Sequence, residues 1–165
     1  MFFLNRVNVL LLSALPLALI TGPALPDIII SISSIIFIII TIKEKELKYY
    51  KNNYFLFFLL FCIYLVINSL FSKNYLLSLE SSLFYIRFGI FSLSIWHCIE
   101  NNSKFKSYFF NIFFLTYLFL IFDGFYQFYN GVNIFGYAYN NVRLTGPIGE
   151  HYVLGSYLAR LYPIL

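Results

Sequence analysis

Residues 54–72 read YFLFFLLFCIYLVINSLFS, nineteen consecutive positions without a charge, closed off by Lys51 before and Lys73 after. A helix crossing the hydrocarbon core of a bilayer takes about 20 mainly apolar residues. This stretch therefore predicts a transmembrane helix, and the rest of the chain is organised around it. Upstream, 43–53 (KEKELKYYKNN) is the one charge-dense segment. Before it lie two further apolar runs. Residues 7–26 carry no charge and follow Arg6, and residues 28–42 are rich in Ile and Ser. Two prolines and a glycine in TGPALPD (21–27) separate these runs, which predicts a tight helical hairpin. The competing reading of the first run is a signal peptide with an Arg-bearing start and cleavage near Gly22 or Ala24. The second run rises only about 22 Å over its uncharged core, so it is expected to lean on snorkelling Lys43 and Lys45.

Downstream, 81–99 forms a fourth span interrupted by Arg87, and 107–123 a fifth ending at Asp123. Residues 124–150 also lack dense charge but mix Gly124, Gln127, Asn130, Gly131, Asn133 and Gly136 with many aromatic rings. Turn-forming residues and amphipathic rings at the headgroup level predict an interfacial loop. A last helix, 151–165, ends without a polar exit and is too short to span. The expected architecture is all-α: a polytopic transmembrane helical bundle of about six spans in a single domain, 1–165. Its boundaries are near 7–26, 28–45, 54–72, 81–99, 107–123 and 151–165, and the final span is truncated as in an N-terminal fragment of a longer protein.

Composition supports this reading. The 165 residues are 61% apolar, 22% aromatic and 11% charged, with a mean hydropathy of +0.79. So few charges cannot clothe a soluble domain, and disordered chains are polar and charge-rich. Eight Gly and two Cys exclude collagen and a disulfide framework. Cys62 and Cys98 sit in apolar stretches and read as small buried residues. The net charge of +4 is scattered among the spans, which speaks for a lipid bilayer and against nucleic acid as the partner.

Basic residues alternate by segment. Arg6, Lys43, Lys45, Lys48, Lys51, Lys104 and Lys106 fall on one side, seven against Lys73 and Arg143 on the other. The positive-inside rule places the N-terminus in the cytoplasm and the aromatic loop 124–150 outside. Arg87 then lies about 9 Å and Arg160 about 13 Å below the outer surface, and Arg143 lies at that surface. Glu80, Arg87 and Ser94 repeat every seven residues along one helix face. In the last helix Gly155 with Ala159, and Ser156 with Arg160, make a small polar face suited to the bundle interior. Intramembrane ionisable groups default to functional hypotheses. Guanidinium groups clasp phosphates bidentately, so Arg87, Arg143 and Arg160 are candidate contacts for a lipid-linked phosphate or diphosphate. His151 beside Glu150 is a candidate acid–base pair, although neighbours on a helix point about 100° apart. His97, near the inner end of its span beside Trp96, reads as an interfacial residue. No P-loop, GxSxG, HExxH or CxxC occurs, and no cofactor or metal spacing is visible.

The stretch DGFYQFYNGVNIFGY (123–137) followed by VRLTGPIGEHYVLGSYLARLYPIL (142–165) resembles the O-antigen ligase and polymerase family of bacterial inner-membrane proteins. Arg143, Thr145, Gly146, Gly155, Tyr157 and Leu158 occupy the places of that family's Arg-x-x-Gly element and of the helix after it. YIRFGIF (85–91) and PLALITGPALPD (16–27) also fit. The resemblance implies a multi-pass glycosyl-transferring enzyme of the bacterial inner membrane, acting at the periplasmic face. Its substrates would be an undecaprenyl-diphosphate-linked glycan and an acceptor glycan or lipid A–core, with no cofactor. It also implies that the main catalytic residue lies in a later loop, beyond these residues. The competing class is a non-enzymatic membrane subunit, or part of a lipid-linked glycan transporter or flippase.

Overall fold

The computed structural model describes residues 2–140, 142–149 and 154–164. Among the described residues seven α-helices follow one another: α1 (Phe2–Ala18), α2 (Ala24–Glu44), α3 (Asn53–Leu70), α4 (Tyr75–Phe84), α5 (Ile86–Asn101), α6 (Phe105–Asn130) and α7 (Leu154–Leu161). Five stretches are long and apolar enough to cross a membrane: Phe2–Thr21, Ala24–Glu44, Asn53–Leu70, Tyr75–Asn101 and Phe105–Asn130. The protein is thus an all-α, multi-pass membrane bundle. Rows of large apolar side chains point outward, among them Phe57, Leu60, Tyr64 and Ile67 of α3. In water such a surface would be a liability; in lipid it is the solvated face.

The described chain forms two compact units. The first comprises Met1–Leu12 and Ile28–Ser103, the second Ser13–Asp27 and Lys104–Leu165.

In the first unit a polar node sits within the interior. Asn8 of α1, Ser33 of α2 and Ser94 of α5 are each fully buried. Asn8 Nδ2 donates to Ser94 Oγ at 2.9 Å, Ser33 Oγ donates to Asn8 Oδ1 at 2.7 Å, and the two serine hydroxyls lie 3.0 Å apart. One amide thus ties three helices together. Beside this node, Phe37, Tyr49, Phe55 and Leu93 form an apolar cluster. Tyr49 comes from the charge-dense segment, yet it is fully buried, with its ring edge-on to Phe37 at 5.8 Å. The return into α3 is fixed by Asn52, whose Oδ1 caps Phe55 N–H at 2.7 Å while its Nδ2 donates to the Tyr49 carbonyl at 2.8 Å.

Several expected boundaries move. The hairpin at 21–27 is present, turning through a 3-10 turn at Leu19–Thr21 and through Gly22, whose φ of 106° suits glycine. However, α2 starts at Ala24, four residues before the apolar run, and has 21 residues. It rises about 31 Å, so it spans without help from snorkelling lysines. The fourth span starts at Tyr75 and is broken at Tyr85, where the bonds tighten to Tyr85 N–H→Ser82 O (3.3 Å) and Phe88 N–H→Tyr85 O (3.1 Å). The Tyr85 ring stacks on Phe58 at 6.3 Å and packs edge-on against Phe61 and Phe88. Glu80 and Arg87 therefore sit on separate helices, and the seven-residue face does not continue through them: Glu80 is exposed and Ser94 buried.

In the second unit α6 continues past Asp123 to Asn130, so the first part of the expected loop 124–150 is helix. Gly124 is helical because it packs under Leu154, whose Cδ2 would stand 2.9 Å from a Cβ there. The helix ends at Gly131, which takes the left-handed conformation at φ 77°. Ile20, Leu120 and Leu154 form the apolar core, with Leu144, Tyr157 and Leu158 packed on it. In α7 the packed face is therefore Leu154–Tyr157–Leu158, while Gly155, Ser156 and Ala159 are exposed. The reason is size: the larger apolar side chains take the i, i+3, i+4 positions that meet α6.

Gly89 of α5 is buried where the Phe58 ring of α3 approaches, and a Cβ would collide with that ring. Gly89→Ala gains up to about 1 kcal/mol in helix propensity but forces overpacking that costs about 1–3 kcal/mol. A net loss of about 1 kcal/mol is expected in denaturant unfolding from detergent micelles. Adding Phe58→Leu should recover part of it.

Candidate functional site

Arg87 stands in the first turn of α5, just past the break at Tyr85, and is half-buried. Its Nη1 donates to Ser31 Oγ at 3.3 Å. The guanidinium lies 5.1 Å from the Phe88 ring centroid and 6.0 Å from that of Phe84, within range of cation–π attraction. Leu77, Glu80, Ser81, Phe84, Tyr85 and Phe88 join it around an open groove of about 480 Å³. The groove is apolar along most of its wall and carries a cation and a carboxylate at its rim. The guanidinium and the apolar wall suit an anionic amphiphile, whereas the Glu80 carboxylate opposes an anion.

Arg143 belongs to the second unit and is exposed. Its backbone N–H donates to Asn140 Oδ1 at 2.7 Å. The residues that follow are held from α6 by Gln127, which is fully buried. Gln127 Oε1 accepts from Thr145 N–H and Gly146 N–H, each at 3.1 Å. Its Nε2 donates to Thr145 Oγ1 at 2.7 Å and to the Tyr137 carbonyl at 3.0 Å. All the hydrogen-bonding capacity of one amide is spent on this loop. Asn133 adds a second anchor: Oδ1 accepts from Phe135 and Tyr137 N–H, and Nδ2 donates to the Gly146 carbonyl at 2.6 Å. Asp123, also fully buried, accepts Ile134 N–H at 3.0 Å. Gly146 has φ 60°, and a Cβ there would approach Leu154 Cδ1 to 2.8 Å. Both facts require glycine. The Arg-x-x-Gly element is thus a rigid loop presenting Arg143.

Of the remaining sequence candidates, Glu150 and His151 lie outside the described residues, as does the side chain of Arg160. Arg87 and Arg143 fall in different units. His97 is only 2% exposed, with its ring edge-on to Phe37 at 5.7 Å and to Tyr49 at 5.4 Å. Its Nε2 stands 3.8 Å from Glu46 Oε2, and Glu44 joins them so that one donor atom from each lies within 4.8 Å of the others. Nearby, Glu100 accepts from Lys48 Nζ (3.2 Å), Tyr49 Oη (2.8 Å) and Trp96 Nε1 (2.8 Å). Burial pushes the Tyr49 phenol above its ordinary range, so it remains protonated and donates to Glu100. The sequence reading missed both Gln127 and the Glu44–Glu46–His97 group. Gln127 was counted among turn formers, and the two glutamates are some fifty positions from the histidine. Comparison with protein-family models, with curated proteins and with solved structures finds no match to this chain.

Replacing Gln127 with Leu leaves the Thr145 and Gly146 N–H groups without their acceptor, while the Tyr137 carbonyl keeps the Asn133 N–H. An unsatisfied buried polar group costs about 1–3 kcal/mol. Amide exchange at Thr145 and Gly146 should speed up by about 10- to 100-fold, with α3 and α5 unchanged.

Proposed function

We propose that this chain is the N-terminal part of a bacterial inner-membrane enzyme of the O-antigen ligase and polymerase type. Such an enzyme transfers or polymerises glycans from an undecaprenyl-diphosphate carrier. In this reading the N-terminus and the 43–53 segment face the cytoplasm and the loop after α6 faces the periplasm. The observation that carries the reading is the Arg143–Thr145–Gly146 element, held by Gln127 of a spanning helix and by Asn133 just beyond that helix. A guanidinium on a preorganised loop can meet a phosphate without first ordering its own backbone. The resemblance in sequence falls on the same residues.

The chemistry follows from charge. As an acceptor hydroxyl attacks the anomeric carbon, the glycosyl–diphosphate bond breaks and negative charge grows on the leaving diphosphate. Fixed guanidinium groups that meet this charge lower the barrier. Arg143 is assigned that role. Arg87, with its apolar groove, is assigned to a lipid-linked phosphate in the first unit. Within this chain the candidates for the catalytic acid–base pair are Glu150 and His151.

A second reading rests on a different observation. The break between α4 and α5 lies inside one apolar stretch, directly before Arg87. Discontinuous helices of this kind form substrate sites in transporters. Transport of lipid-linked glycan by vesicles lacking any acceptor would favour that reading.

The test is Arg143→Lys and Arg87→Lys in the native membrane protein, measuring glycan transfer from undecaprenyl diphosphate in isolated membranes. Lysine keeps the charge but loses the bidentate geometry. Losing one charge-assisted hydrogen bond at about 1.5–3 kcal/mol predicts a fall of roughly 10- to 100-fold, with membrane insertion intact. Unchanged transfer in both variants contradicts the proposal.

A further inference from the structure

We propose that Glu44, Glu46 and His97 form a binding site for a divalent transition-metal cation, represented here by Zn²⁺. The three donors come from two parts of the first unit. Glu44 closes α2, Glu46 follows one residue later, and His97 projects from the last turns of α5. Between the two glutamates Lys45 takes the left-handed conformation, φ 54°, and Glu46 N–H reaches back to the Thr41 carbonyl at 3.0 Å. This is the hydrogen-bond pattern of a Schellman turn, and it turns Glu46 toward the histidine.

The distances leave room for a cation between the donors, all of which lie within 4.8 Å of one another. An imidazolium donating to a carboxylate closes to about 2.7–2.9 Å. The observed Nε2···Oε2 separation is 3.8 Å, too long for a hydrogen bond. Two donors on one Zn²⁺, each about 2.0–2.2 Å from it, stand roughly 3–3.6 Å apart. The gap is therefore close to what a shared cation requires. Glu46 Oε2, which faces His97 Nε2 across this gap, is buried with no hydrogen bond. Leaving a carboxylate oxygen buried and unsatisfied is costly, and a cation held between Oε2 and Nε2 satisfies it.

The surroundings favour the same chemistry. The Phe37 and Tyr49 rings fix the imidazole plane, so the lone pair is aimed before any ligand arrives. Glu100 is committed to Lys48, Tyr49 and Trp96 and does not compete. Glu44 is exposed, which leaves an entry path and room for water to complete the coordination. An imidazole with carboxylates suits Zn²⁺, Fe²⁺ or Mn²⁺ over Mg²⁺ or Ca²⁺, which take oxygen ligands. Nδ1 has no acceptor to orient and strengthen the ligand, and an outer-shell partner of that kind is worth about 10- to 100-fold in affinity. Binding weaker than that of a fully supported site is therefore expected. Once occupied, the site clips the end of α2 to α5.

The test uses the chelator-treated full chain in detergent or nanodiscs, titrated with Zn²⁺ by calorimetry and, in parallel, with Co²⁺ by visible absorption. One Zn²⁺ per chain, a Co²⁺ d–d band and a rise in Tm with Zn²⁺ but not Mg²⁺ are expected. Glu46→Gln and Glu44→Gln preserve side-chain volume and should each weaken binding at least about tenfold and abolish the Tm rise. His97→Gln should remove the Co²⁺ band. Absence of stoichiometric Zn²⁺ binding by the unaltered chain overturns the proposal. So does binding that survives both glutamate substitutions, which would place the zinc elsewhere. Equal binding of Mg²⁺ overturns the assigned class of cation.

Discussion

The Asn8 side chain is the contact on which the first unit depends. Within a bilayer, helices gain little by bringing apolar faces together, because lipid tails are as apolar as leucine. Association then comes from close packing and from polar groups that find no partner in lipid. Asn8 meets both conditions, reaching Ser33 and Ser94 in one buried node. The small serines let the helix backbones approach, and the amide supplies both a donor and an acceptor. Around this node the apolar exterior of α3 and the buried Phe37–Tyr49–Phe55–Leu93 cluster take their places.

The second unit uses the same device at a helix end. Gln127 and Asn133 fold the chain beyond α6 into a fixed loop, using amide side chains that match backbone donors and acceptors. Leu154 seals it by occupying the space that Gly124 and Gly146 leave. Arg143 is exposed on this loop, whose backbone these hydrogen bonds hold in place.

The spans were legible because charge-free runs of about 20 residues have few other uses. The hairpin was legible because Gly22, Pro23 and Pro26 interrupt two such runs. What could not be read depended on partners distant in sequence. The break at Tyr85 arises from ring packing against Phe58 and Phe61, and no proline or glycine marks it. Tyr49 is buried within the most charged segment because Phe37 and Leu93 form its pocket. His97 was visible as a polar residue in an apolar helix, but its acidic neighbours were not. In a membrane bundle the informative residues are the isolated polar ones inside apolar runs; Asn8, Ser94 and His97 are all of this kind. Arg87 was recognised on that basis. Gln127 lies in a stretch whose composition reads as loop, and Glu44 and Glu46 are some fifty positions from the histidine they approach.

The central claim is that buried polar contacts, more than apolar burial, hold the helices of the first unit together. A double-mutant cycle on Asn8→Ala and Ser94→Ala, with unfolding measured in bilayer-like micelles, tests it most directly. Interhelical hydrogen bonds in membranes couple by about 0.6 kcal/mol on average and up to about 2 kcal/mol. A coupling energy in that range between positions 8 and 94 is the expected result. Additive effects of the two substitutions, with no coupling, would contradict the account.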